Sequence, residues 1–64
     1  MVEREKMKTF KMQLRLADRW INDYANGNEQ QVIQKAIWRK KRNPDQYIRV
    51  VLEENGRQMP IFFA

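Results

Sequence analysis

Near the start of the chain three polar side chains, Lys11, Gln13 and Arg15, alternate with the apolar Met12 and Leu14. On an extended backbone all three would share one face, and their chemistry suits base edges. Arg or Lys donates to guanine O6 and N7, and Gln makes paired hydrogen bonds with adenine. A second cationic set, Lys35 with the run Arg39-Lys40-Lys41-Arg42, suits phosphate contact. Each feature also has a plainer explanation: an amphipathic element carries a solvated polar face, and cations near a helix C-terminus complement its dipole. Trp20, Tyr24 and Trp38 could stack on bases, although aromatic side chains in so short a chain usually form a core or a dimer interface. Of the neighbours Phe62 and Phe63, one can face the core while the other points outward and marks a partner surface.

Catalytic chemistry has little to draw on. The chain lacks cysteine and histidine, has two glycines, and spaces its eight acidic residues in no metal-binding pattern. No enzyme activity, metal or cofactor is expected, so the work of this chain is expected to be binding.

Sixty-four residues make one small domain, 1–64. At that size folding buries only about 60% of the surface that the unfolded chain exposes, so a second subunit or a larger partner is the expected supplement. The net charge of +5 favours polyanions. It is concentrated in two places: residues 1–16 hold five basic and two acidic side chains, residues 28–42 hold five and one, and the segments 17–27 and 43–64 each sum to minus one. No apolar run is long enough to span a bilayer, and the charged stretch 1–6 lacks the apolar core of a signal peptide. A cytoplasmic protein without a membrane partner is expected.

Four elements are expected to position these residues. The last third is the clearest. Across Asn55-Gly56, the signature of a two-residue type I′ turn, Leu52 would meet Met59, Val50 meet Ile61, Ile48 meet Phe63, and Glu54 meet Arg57, which makes residues 46–64 a β-hairpin. A short helix capped by Asn43 and Pro44 competes for residues 44–55 and stays open. Asn28 can cap a middle helix in which Val32, Ile33, Ala36 and Ile37 form the apolar stripe. Before it, Trp20, Ile21 and Tyr24 share a helical face within Ala17 to Ala25. For residues 8–16 two patterns overlap. Phe10, Met12, Leu14 and Leu16 alternate as in a half-buried strand, whereas Met7, Phe10, Leu14, Ala17, Ile21 and Tyr24 follow a helix seam. The strand is preferred, and helix extension remains the alternative. The expected fold class is therefore α+β: an N-terminal strand, two helices and a C-terminal β-hairpin.

In that order of elements, Phe10-Lys11-Met12-Gln13-Leu14-Arg15-Leu16 resembles the N-terminal ribbon, and Gln31-Val32-Ile33-Gln34-Lys35-Ala36-Ile37 resembles the second helix, of ribbon-helix-helix DNA-binding proteins of the MetJ/Arc/CopG type. The resemblance covers about residues 9–42 and rests mostly on apolar spacing. It implies a homodimer whose paired ribbons enter the major groove, with Lys11, Gln13 and Arg15 on bases and the second helix's N-terminus on a phosphate.

The expected function is thus that of a small basic nucleic-acid-binding protein, a dimeric DNA-binding transcriptional regulator. Duplex DNA would be contacted through Lys11, Gln13, Arg15, Lys35, Arg39, Lys40, Lys41 and Arg42. An alternative of another class is a protein-binding module that docks its hairpin or helix pair on a larger acidic partner with Phe62 or Phe63 as anchor. A third option is single-stranded RNA binding by basic and aromatic side chains on the sheet.

Overall fold

A computed structural model describes residues 8–64. The charged stretch 1–6 and Met7, first position of the helix seam, lie outside the described residues. Strands β1 (Lys8–Leu16) and β2 (Arg19–Asn26) form a hairpin, helix α1 (Glu29–Arg42) follows, and β3 (Ile48–Glu54) and β4 (Arg57–Phe63) form a second hairpin. All neighbours are antiparallel and the sheet order is β2-β1-β3-β4. Since β2 and β3 both run opposite to β1, they are parallel to each other, and α1 is the crossover that carries the chain over β1 from one to the other.

The alternation in β1 does what its chemistry dictates. Met12 and Leu14 turn to the helix and join Val32, Ala36, Ile48 and Val50 in one buried cluster, with Phe10, Ile21, Tyr24, Ile33, Phe62 and Ala64 packed around it. Full burial of each larger aliphatic side chain contributes roughly 1.5–3 kcal/mol. Helix α1 is capped as its sequence suggests: Gln31 N donates to Asn28 Oδ1 at 3.2 Å, and Asn43 N donates to Arg39 O at 2.9 Å at the other end. At the β3–β4 turn Asn55 and Gly56 both have positive φ, 55° and 78°, as a type I′ turn requires.

The expected pair of helices is corrected to one. Ala17 to Ala25 does not form a helix; most of it is β2, and the architecture is a four-stranded antiparallel sheet with a single helix. A β-bulge explains the misleading period. Met12 faces Tyr24 and Gln13 faces Asn22, so Asp23 is an extra residue in β2. It places Ile21 and Tyr24, three apart, on the same face of a strand, which on paper imitates a turn of helix. The helical alternatives for 8–16 and for 44–55 give way to β1 and to a turn leading into β3. A second bulge corrects the hairpin's register. Leu52–Met59 and Glu54–Arg57 pair as expected, but Val50 meets Phe62 because Ile61 is extra, and Phe63 lands opposite Arg49 instead of Ile48.

The fold implied by the ribbon-helix-helix resemblance is overturned with it. In that arrangement the first strand is paired on one side with its copy in a second chain. Here β1 is bonded to β2 on one side and β3 on the other, so neither of its edges is open.

Candidate nucleic-acid interface

Helix α1 packs on β1, β3 and β2, and among the described residues no second layer covers the opposite face of the sheet. Cross-strand registers arrange the side chains of that open face in rows. Trp20 stands beside Arg15; Asn22, Gln13, Arg49 and Phe63 form the next row; Ala25, Lys11, Val51 and Pro60 the third; Thr9, Glu53 and Gln58 the last. Tyr47 precedes β3 at the level of the first row, where Arg15 N donates to Tyr47 O at 3.0 Å.

Two guanidinium groups share one indole in the first two rows. Arg49 lies 4.3 Å and Arg15 5.5 Å from the Trp20 ring centroid. The indole, half-buried, is therefore a pedestal for cations, an arrangement that its electron-rich face stabilises. Arg49 Nε donates to Gln13 Oε1 at 2.8 Å, and Gln13 Nε2 donates to Asn22 Oδ1 at 2.8 Å. Gln13 is only 4% exposed. Arg15 Nε donates to Ala17 O at 3.2 Å. Partial burial, and then the positive charge of Arg15, hold the Arg49 pKa below its ordinary value.

Two clefts meet at this end of the sheet. One, of about 300 Å³, is lined by Arg15, Trp20, Tyr47, Ile48, Phe63 and Ala64. The other, of about 540 Å³, runs from Arg42 along the 43–46 turn to the same Arg15 and Tyr47, with Asp45 as its one acid. Tyr47 and Phe63 are 69% and 63% exposed. The turn itself is well tied: Gln46 N donates to Asn43 O at 3.0 Å, and Lys40 Nζ donates to Gln46 O at 2.9 Å while sitting 5.8 Å from the Tyr47 ring centroid.

The eight side chains expected to contact nucleic acid separate into two layers. Lys11, Gln13 and Arg15 do share the open face, but Lys11 is ion-paired with Glu53 and Gln13 is buried with both ends of its amide engaged, so it reaches no base edge. Arg15 is the exposed member. Lys35, Arg39, Lys40, Lys41 and Arg42 sit on the helix, across the sheet from that face. Arg39 pairs with Asp23 at 2.9 Å, and Lys35 lies over Tyr24 at 4.8 Å. Arg42, stacked over Trp38 at 4.7 Å, is the helix cation that shares a cleft with Arg15. Phe62 packs against the core and Phe63 projects from the open face.

Tyr47 and Arg49 are absent from the expected set. A signal for Arg49 exists in the sequence: it lies between Ile48 and Val50, both apolar, so in a strand it must face away from the core. What it faces depends on the pairing of β3 with β1, thirty-six residues away in sequence at the Arg49–Gln13 bond. No protein-family model matches the chain, and no curated protein or solved structure matches it.

Proposed function

We propose that this protein binds single-stranded nucleic acid across the Arg15, Tyr47 and Phe63 end of its open sheet face. The observation that carries this function is the apolar cleft between two well-exposed rings, Tyr47 and Phe63, walled by Arg15 and Trp20 and sharing Arg15 and Tyr47 with a second cleft that leads to Arg42. Unstacked bases are held by aromatic faces and by guanidinium planes, and cations alongside follow the backbone. A base enters the apolar cleft, and the chain's phosphates pass Arg15 toward Arg42.

Duplex reading by β1 has less support. A two-stranded ribbon fits a major groove about 12 Å wide, but β1 is an inner strand, and four strand axes span about 14 Å before side chains are added. A second function is favoured by a separate observation: Met59 is 57% exposed on the edge strand β4, with Ile61 also exposed beside it. A protein partner could cover that edge, although Pro60 removes one donor from it.

Fluorescence anisotropy with a labelled single strand of roughly ten nucleotides, and with a duplex of the same sequence, tests the proposal. Tighter, salt-sensitive binding of the single strand is expected. Absence of measurable single-strand binding at low salt refutes it, and a variant Met59→Ala that alters capture of a protein partner without altering anisotropy would favour the β4 edge.

A further inference from the structure

We propose that Arg15 and Arg49 form a prepositioned clamp for a phosphodiester group, with buried Gln13 as the positioning residue that sets the Arg49 guanidinium on Trp20. This deepens the single-strand function proposed above and rests on it.

Two guanidinium groups are held around a single indole, yet among the described residues no carboxylate pairs with either; the ion pairs there are Lys11–Glu53 and Arg39–Asp23. Like charges brought together in this way repel, and an anion relieves the repulsion. Among the described residues each group is anchored through its Nε alone, Arg15 on Ala17 O and Arg49 on Gln13 Oε1. Their terminal nitrogens stay available as donors, with the planar fork that matches phosphate oxygens.

The anchor of Arg49 is itself built in. Gln13 is buried, and its orientation is decided by Asn22 Oδ1, which accepts only from the amide nitrogen and so leaves Oε1 turned to Arg49. A buried amide with both ends satisfied is rigid, so the Arg49 guanidinium is oriented before a ligand arrives. That reduces the ordering cost of binding. The cleft between Tyr47 and Phe63 is also walled by Arg15 and Trp20, which puts the clamp next to the place where a base would stack. A phosphodiester is the anion whose neighbour is a base.

The experiment uses the intact chain and follows the Nε–Hε NMR signals of Arg15 and Arg49 together with the Trp20 indole signal. Thymidylyl-thymidine, its uncharged methylphosphonate analogue and inorganic phosphate are the probes, followed by oligothymidylate. The charged dinucleotide is expected to shift both arginine signals and the methylphosphonate to leave them in place. Arg49→Ala is expected to weaken oligothymidylate binding on the order of tenfold, the size of one charge-assisted hydrogen bond, with most of the salt slope kept because Arg15 still neutralises the phosphate. Arg49→Lys is expected to fall nearly as far, because lysine cannot keep the Gln13 bond and offer a fork at once. Gln13→Leu is expected to broaden or move the Arg49 signal and weaken binding with the salt slope retained, a split that general loss of fold would not give.

Equal shifts from the charged and uncharged dinucleotides overturn the clamp while leaving base stacking in place. Oligothymidylate binding with the arginine signals unmoved overturns it in the same way. If inorganic phosphate alone moves both arginines and oligothymidylate does not bind, the clamp holds and the single-strand function falls.

Discussion

Replacing Tyr47 by alanine separates stacking from charge. The ring is 69% exposed, its backbone oxygen accepts from Arg15 N, and alanine preserves that bond. The Lys40 ammonium lies 5.8 Å from the ring centroid in a solvated setting, where such a contact contributes about 0.5–1 kcal/mol at most. Stability should therefore change by no more than about 1 kcal/mol. Binding should suffer more: loss of one base–aromatic stack costs about 1–3 kcal/mol, or roughly 5- to 150-fold in Kd. The charge arithmetic is independent of this. If the Arg15–Arg49 clamp neutralises one phosphate and Arg42 a second, the slope of log K against log salt is about −1.4 for a single strand, which between 50 and 200 mM weakens binding about 7-fold. Tyr47→Ala should shift the whole line downward with the slope kept, whereas Arg42→Ala should flatten it by about 0.7. Anisotropy titrations across that salt range, with circular dichroism to establish the fold, measure both. A folded Tyr47→Ala protein that binds as tightly as the parent would refute the placement of a base against this ring.

Four further outcomes concern the scaffold. Asn28→Ala removes the side-chain acceptor for Gln31 N and should lower stability by about 1 kcal/mol in urea denaturation. Gly56→Ala meets no atom within 4 Å of the added Cβ but keeps a φ of +78°, so a loss of about 1–2 kcal/mol would be backbone strain alone; the reverse change, Ala17→Gly at φ 56°, should raise the thermal midpoint, by about 0.5 kcal/mol in stability once the added freedom of the unfolded chain is subtracted. Met12→Ala empties a fully buried site at a cost of about 2–5 kcal/mol, a large share of the roughly 3–10 kcal/mol available to a chain of this length, and should leave a markedly lower urea midpoint or an unfolded protein.

Local chemistry was legible wherever a few adjacent residues decide the outcome. The Asn55-Gly56 turn, the Asn28 cap, the apolar stripe of Val32 and Ala36, and the alternation of β1 all act within one turn or one strand, so their residue types suffice. The strand at 19–26 was illegible for a definite reason: Asp23 is a bulge residue, and a bulge breaks the period of two on which a strand is recognised. Ile61 did the same to the hairpin register. A bulge is stabilised by the partner strand and, at Asp23, by the Arg39 guanidinium arriving from the helix, neither of which is adjacent in the chain.

The same division runs through the candidate site. Sequence by itself established a small, positively charged chain without cysteine or histidine, and it placed Lys11, Gln13 and Arg15 on one face. Tertiary structure alone decided that β1 lies inside the sheet, that Gln13 is buried as a support, and that Trp20, Tyr47, Arg49 and Phe63 converge on Arg15. Those residues come from every strand or its flank, and strand order is set by which apolar faces can be buried together, a property of the whole sheet that no local pattern contains.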